Sequence, residues 1–119
     1  MPIVLQRIYN EHPRLEGRRI LIDRVWPRGI SKEDARLDEW MKEIAPSPSL
    51  RKWFQHDPEK FEQFKEAYQE EIRQDAEKQA KLKELRDMMK NERVVLLYGA
   101  KDEIHNHAIV LKEMLECDD

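Results

Sequence analysis

Two short segments hold most of the side chains that could do chemistry. The first, residues 23–32 (here loop A), carries Arg24 and Arg28 around a Trp-Pro pair. An arginine guanidinium donates two parallel hydrogen bonds to a phosphate or carboxylate. Two arginines on a loop stiffened by proline therefore predict an anion clamp, with Trp26 as a wall of the pocket.

The second segment, residues 98–107 (here loop B), offers complementary groups. Lys101 and Asn106 are predicted anion contacts, and Tyr98 a second pocket wall. Gly99 permits close backbone approach, and either Asn106 or Asp102 is suited to cap a following helix. His107 is the candidate catalytic residue, a proton carrier, because imidazole titrates near neutrality.

Other interpretations of these residues stay open. Arg24 could pair with Asp23, Asp102 or Glu103 while Trp26 merely covers the edge of a sheet. His105 and His107 resemble metal ligands, but residues two apart on a helix are rotated by about 200°. We therefore predict no metal and, without a phosphate-binding loop, nucleophile elbow or cysteine pair, no cofactor.

Several patterns predict the elements that position these loops. Runs rich in Ile, Val and Leu predict strands at residues 3–9, 19–26 and 93–98. Helix starts are indicated at Ser31, Ser47-Pro48 and Asp57-Pro58. The first helix is expected to reach Ile44. Its apolar face is expected to contain Leu37, Trp40, Met41 and Ile44.

A long amphipathic helix follows Asp57, with a break or bend expected between residues 74 and 81, and a closing helix spans about 108–115. Strands separated by helices predict a single α/β domain over residues 1–119, a three-layer sandwich with a small, mainly parallel sheet. Only nine residues separate Tyr9 from Arg19, which also suits an antiparallel connection. Parallel strands would bring the ends of loops A and B to one edge.

Composition narrows the class of protein. The 119 residues carry a net charge of -3, and charged side chains make up 39% of them, so no global field attracts nucleic acid or a membrane surface. Cys117 is the one cysteine, and no apolar run approaches the roughly 18 residues of a membrane span. We expect a cytoplasmic protein without a nucleic-acid or membrane partner; the sequence leaves its oligomeric state open.

Motifs across almost the whole chain resemble the short, YeaO-like members of the family known as domain of unknown function 488. The matching stretches are residues 7–9, 21–29, 37–40, 44–47, 50–54, 56–57, 96–102 and 106–108. The resemblance implies an α/β fold and assigns no catalytic residue. The chain departs from the pattern mainly between Gln74 and Asn91, where charged helical sequence adds length.

Two hypotheses about function follow. The first is an enzyme acting on a small anionic or phosphorylated substrate, with Arg24 and Arg28 as the clamp and His107 as proton carrier. The second is a non-catalytic module that senses a ligand or binds a partner through the same pocket or through Trp53 and Phe54. Nucleic-acid binding needs a basic stripe, against which the mixed Lys and Glu of the long helices argue. His56 is expected to be a surface or capping residue.

Overall fold

The computed structural model describes residues 3–10 and 15–117. Within these ranges the strands are β1 (Ile3–Arg7), β2 (Arg18–Leu21), β3 (Glu39–Trp40) and β4 (Val94–Tyr98). The α-helices are α1 (Lys32–Ala35), α2 (Pro48–Phe54), α3 (Phe61–Gln74), α4 (Ala76–Met89) and α5 (His107–Glu116). Short 3-10 helices at Lys42–Ile44 and Pro58–Lys60 precede α2 and α3.

The four strands form one parallel sheet in the order β1-β4-β2-β3. The last long strand, β4, lies between β1 and β2, and Leu96 pairs with Leu5 on one side and Ile20 on the other. The connection from β1 to β2 therefore crosses β4, and the prediction of parallel strands is confirmed. Part of this connection, residues 11–14, lies outside the described residues. Gly17 enters β2 with φ +144°, where an added Cβ would lie 2.6 Å from the carbonyl oxygen of Arg93.

The two faces of the sheet are covered unequally. Side chains alternate along β4, so Val94, Leu96 and Tyr98 contact the large core, while Val95 and Leu97 contact a smaller one. The large core joins the sheet to α2, α3, α4 and α5. The small core is closed by α1 and surrounding loops, through residues that include Ala35, Leu37, Trp26 and Trp40. The predicted α/β architecture, a parallel sheet flanked by helices, is confirmed.

The predicted helix from Ser31 to Ile44 is wrong beyond its first turn. Ser31 caps α1 as expected, its Oγ accepting from the amide of Asp34 at 3.0 Å. Arg36 then adopts a left-handed conformation (φ 48°) that ends the helix. Trp40 instead lies in edge strand β3 beside Leu21. The apolar spacing that suggested one helical face is divided between the cores: Leu37 and Trp40 pack in the small one, Met41 and Ile44 in the large one.

The other helix signals correspond to observed elements. Ser47 caps α2, with Oγ accepting from the amide of Leu50 at 3.2 Å, and Asp57 caps the 3-10 turn before α3. The expected break in the long helix occurs at Asp75, which ends α3 and caps α4. Among the described residues, no helix combines the length and apolar character needed to cross a membrane.

Candidate functional site

A cavity of about 240 Å³ opens where β2 and β4 end. Chain segments from both strand ends, from the start and end of α2, and from the start of α5 form its wall. The lining residues are Tyr9, Asp23, Arg24, Val25, Trp26, Pro27, Ala45, Pro46, Arg51, Phe54, His56, Phe64, Gly99, Ala100, Asn106 and His107. The expectation that loops A and B meet at one edge of the sheet therefore matches the geometry.

Asp23 joins the two strand ends. It follows β2, and its Oδ2 accepts a hydrogen bond from the amide of Gly99, which follows β4, at 2.9 Å. A Cβ on Gly99 would lie 3.1 Å from the same oxygen, so the lack of a side chain allows this close approach. The other carboxylate oxygen, Oδ1, is buried and accepts no hydrogen bond among the described residues.

His107, the first residue of α5, lies against this carboxylate. Its Nε2 is 2.9 Å from the carbonyl oxygen of Ile22 and 3.2 Å from Asp23 Oδ1. Since a carbonyl oxygen only accepts, Nε2 carries the proton and donates it to Ile22. The ring meets Tyr68 edge-on, at 6.2 Å between centroids, which fixes its plane. His107 thus lies in the cavity wall with one ring nitrogen already occupied.

The guanidinium of Arg24 is anchored by the backbone carbonyls of Ala45 and Pro46, the two residues that precede the cap of α2. Its Nη2 donates to the carbonyls of Ala45 and Pro46, each at 3.3 Å, and its Nε donates to Pro46 at 3.4 Å. In the described part of the chain, the side chain of Arg24 makes no ion pair with Asp23, Asp102 or Glu103, which the alternative interpretation required. Among the described residues, Nη1 makes no hydrogen bond. One edge of the guanidinium is therefore anchored, and one nitrogen is left to donate to a ligand.

The buried ammonium of Lys78 lies close to Arg24, outside the cavity lining. Lys78 is 6% exposed, and its Nζ donates to the carbonyls of Ala45 and Glu43 at 2.8 and 3.0 Å. Burial lowers the pKa of Lys78, and the charge of Arg24 lowers it further. The two cations share the carbonyl of Ala45, while the charges of Asp75, Glu71 and Glu77 raise the pKa of Lys78.

Asn106 and Tyr98 have mainly structural contacts. Asn106 is buried in the wall, caps α5 by accepting from the amide of Ile109 at 3.1 Å, and donates to the carbonyl of Asp102 at 2.8 Å. Tyr98 lies in the large core and not in the cavity lining, and its burial raises the pKa of its phenol. Of the two predicted walls, the structure places Trp26 at the cavity, with its indole donating to the carbonyl of Ile30 at 2.6 Å.

Arg28 and Lys101 are not brought into the cavity. Both are exposed, and neither belongs to the lining residues, although each directly follows one that does. The backbone of Arg28 contributes instead, because its carbonyl accepts from the hydroxyl of Tyr9 at 2.9 Å. The pair of arginines predicted as a clamp on loop A is thus separated, with Arg24 in the cavity wall and Arg28 on the surface.

The missing second cation comes from α2. Arg51 is exposed and lines the cavity together with Phe54, three residues later on the same helical face. Directly after the helix, Gln55 and His56 both take positive φ values, 48° and 57°. This turn places His56 in the cavity wall, 6.0 Å from Phe54 between ring centroids. Arg51 was not among the predicted site residues, because nothing local shows where α2 faces. His56 is exposed, as expected for a surface residue, and it also lines the cavity.

His105 and Asp102 form a separate pair outside the cavity lining. Nδ1 of His105 is 2.9 Å from Asp102 Oδ2, whereas His107 contacts Asp23, so the two histidines do not converge. Oδ1 of Asp102 accepts from the amides of Ile104 and His105, each at 2.9 Å. These backbone hydrogen bonds, followed by the contact with the His105 ring, lower the pKa of Asp102 from 3.8 to about 2. Within the described residues, no group of three potential ligands is placed to hold a metal ion.

The lowered pKa of Asp102 predicts a contribution to acid sensitivity. Its pKa in the folded state is below that of the unfolded chain, so this carboxylate stabilises the fold above about pH 4 and loses that effect as the pH falls towards about 2. Asp102→Asn keeps one acceptor oxygen for the amides of Ile104 and His105 but cannot titrate. We expect a flatter dependence of the urea midpoint on pH across this window than in the wild type. Glu103→Gln, at the exposed neighbour, is the control, and equal slopes for wild type and Asp102→Asn would contradict the assignment.

Proteins similar over nearly the full chain are themselves described as uncharacterized. Residues 2–118 match the family model described as the inactive DUF488-N3 subclade. The uncharacterized protein YeaO of Escherichia coli is 44% identical over 115 residues, which cover 97% of each chain. The uncharacterized protein Rv3073c of Mycobacterium tuberculosis is 38% identical over 109 residues, covering 92% of this chain and 89% of the relative. No solved structure matches the chain significantly.

The family model spans the loops that form the cavity, and the observed fold agrees with the α/β architecture that the resemblance implied. The chain belongs to the DUF488 family, in the subclade described as inactive.

Proposed function

We propose that the protein is a non-catalytic binding module for a small organic anion, which it holds in the cavity at the ends of β2 and β4. The observation that carries the proposal is the way in which backbone carbonyls anchor one edge of the Arg24 guanidinium. Its Nε and Nη2 are anchored on the carbonyls of Pro46 and Ala45, while Nη1 makes no hydrogen bond among the described residues. A guanidinium held in place before binding loses little freedom when an anion arrives.

Charge and shape support an organic anion. Arg51 adds a second cation to the wall beside Arg24. Asp23 opposes them, but its carboxylate accepts from the amide of Gly99 and lies against the ring of His107. Four aromatic side chains also line the cavity: Tyr9, Trp26, Phe54 and Phe64. A carboxylate or phosphate attached to a flat apolar body fits this combination better than a bare inorganic ion.

Binding is favoured over turnover because the wall holds few groups that could react. No serine, threonine, cysteine or lysine is among the lining residues, and Nε2 of His107 donates to a backbone carbonyl. The description of the subclade as inactive agrees with this choice. The competing proposal is an enzyme in which His107, paired with Asp23 at 3.2 Å, moves a proton. Catalysed conversion of a bound anion, lost in His107→Ala, would favour the enzyme.

Arg28 and Lys101 enter the proposal in a different role. They follow the lining residues Pro27 and Ala100, so their exposed charges can attract an anion without holding it. Such attraction weakens steeply as ionic strength rises. We propose a cytoplasmic setting without nucleic acid or a membrane as partner, in keeping with the net charge of -3.

The test is calorimetric titration with phenylpropionate, which joins one carboxylate to one ring. Arg51→Gln removes a cavity-lining cation that is exposed, so the fold should persist. We expect its affinity to fall by about fivefold to tenfold, as for the loss of roughly 1 kcal/mol. Lys52→Gln is the matched control, because Lys52 is exposed on the same helix and does not line the cavity. Absence of saturable binding to the wild type, or equal losses in both variants, would refute the proposal.

A further inference from the structure

The wall of the cavity carries two groups of charged or titratable side chains. The first, here the basic end, comprises Arg24, Arg51 and His56, with Arg24 anchored on the backbone of residues 45–46. The second, here the acidic end, is formed by Asp23 where β2 stops, beside Gly99 and His107. A pocket built for an anion alone gains nothing from a carboxylate in its wall, because like charges repel.

Asp23 retains capacity for a further donor. Its side chain is 21% exposed and lines the cavity, although Oδ1 is buried. Oδ2 accepts one hydrogen bond, from the amide of Gly99. A carboxylate oxygen can accept two, so a ligand donor at the cavity surface can take the second.

The partners of Asp23 leave its charge poorly compensated. Nε2 of His107 is closer to the carbonyl oxygen of Ile22, at 2.9 Å, than to Asp23 Oδ1, at 3.2 Å. The single proton on that nitrogen is shared between two acceptors, and Oδ1 receives no well-aligned hydrogen bond. A cationic donor from a ligand would supply the interaction that the protein itself does not complete.

Aromatic side chains fill much of the remaining wall. Trp26 and Tyr9 belong to one part of the lining, and Phe54 and Phe64 are stacked with centroids 4.2 Å apart. The volume of about 240 Å³ is below the roughly 300 Å³ at which typical small-molecule sites begin. A ligand with one flat ring as its body therefore suits the cavity.

We infer that the ligand is a small aromatic zwitterion, with a carboxylate for Arg24 and Arg51 and an ammonium for Asp23. This inference rests on the proposed function and deepens it, since anion binding alone would leave the acidic end without a role. The chemical class includes aromatic amino acids, whose two charges are adjacent, and ring aminocarboxylates, whose charges lie at opposite ends.

The test compares ligands that share a ring and differ in charge. The wild type is titrated with para-aminomethylbenzoate, with phenylalanine, and with their matched anions para-ethylbenzoate and phenylpropionate. Benzylamine supplies the ammonium alone. We expect at least one zwitterion to bind about tenfold tighter than its matched anion, and benzylamine to bind more weakly than either.

The variant Asp23→Asn isolates the acidic end. An asparagine can still accept from the amide of Gly99, and circular dichroism checks that the fold is retained. We expect the preference for the zwitterion to disappear while affinity for the matched anion stays the same or rises. The comparison among ligands on the wild type does not depend on this variant and can overturn the inference even if the variant does not fold.

The possible failures are distinguishable. If the matched anions bind and both zwitterions bind equally or more weakly, the inference is overturned and the proposed function stands. If none of the carboxylates binds, both the proposed function and the inference that rests on it are refuted. If Asp23→Asn folds and keeps an unchanged preference for the zwitterion, Asp23 is not the recognition group and the inference is again overturned.

Discussion

Phe64→Ala is expected to lower the free energy of unfolding by about 3–5 kcal/mol. Phe64 is 2% exposed and joins the cavity wall to the large core. Its ring stacks on Phe54 at 4.2 Å and on Tyr68 at 5.7 Å between centroids. Truncation removes both contacts and leaves a hole beneath the cavity, which the helices around it can close only in part.

Urea denaturation followed by circular dichroism measures this effect. Phe64→Leu is the matched control, since it keeps an apolar side chain of similar reach and should cost less than about 1.5 kcal/mol. A domain of this size has a total stability of roughly 5–15 kcal/mol, so the alanine variant should be distinctly less stable than the wild type. A loss below about 1 kcal/mol for Phe64→Ala would contradict the packing described.

Arg24→Gln is expected to weaken the binding of phenylpropionate by about 10-fold to 100-fold, because a hydrogen bond to a charged group contributes about 1.5–3 kcal/mol. A glutamine has no positive charge. It also cannot reproduce the hydrogen bonds that the planar guanidinium of Arg24 donates to the carbonyls of Ala45 and Pro46. Calorimetric titration gives the affinity, and the urea midpoint shows separately how much stability the substitution removes.

Two further variants interpret that result. Arg28→Gln removes an exposed arginine of the same loop that does not line the cavity, so its affinity should change less than about threefold and only at low salt. Arg24→Lys keeps the charge without the fork and should bind with intermediate affinity. If Arg28→Gln weakened binding as much as Arg24→Gln, the ligand would be held on the surface of loop A and not in the cavity.

The fold was predictable where a local signal and the tertiary structure agree. Strand and helix starts such as Ser47-Pro48 depend on short-range hydrogen bonds, and the structure shows them. The segment after Ala35 was not predictable, since spacings of three and four residues indicate a helix by themselves. There the left-handed Arg36 ends α1, and pairing of Trp40 with Leu21 in the sheet determines the outcome.

The candidate site was predictable only in part, for a related reason. Parallel strands bring Asp23 and Gly99 to one edge whatever the loops do, so the meeting of loops A and B followed from topology. The directions in which individual side chains point did not follow from the topology. Arg24 and Arg28 look equivalent in sequence, yet Pro27 and the turn at Gly29, with φ +83°, leave Arg28 exposed. Arg51 reaches the cavity through helix packing across the core.

The most direct test of cavity binding is a titration of isotope-labelled protein with phenylpropionate, followed by amide chemical shifts. We predict saturable shifts concentrated at residues of the cavity wall, including Arg24, Gly99 and His107, with small changes at Arg28 and Lys101. Saturable shifts centred on Arg28 and Lys101, or no saturable shifts at all, would contradict the account.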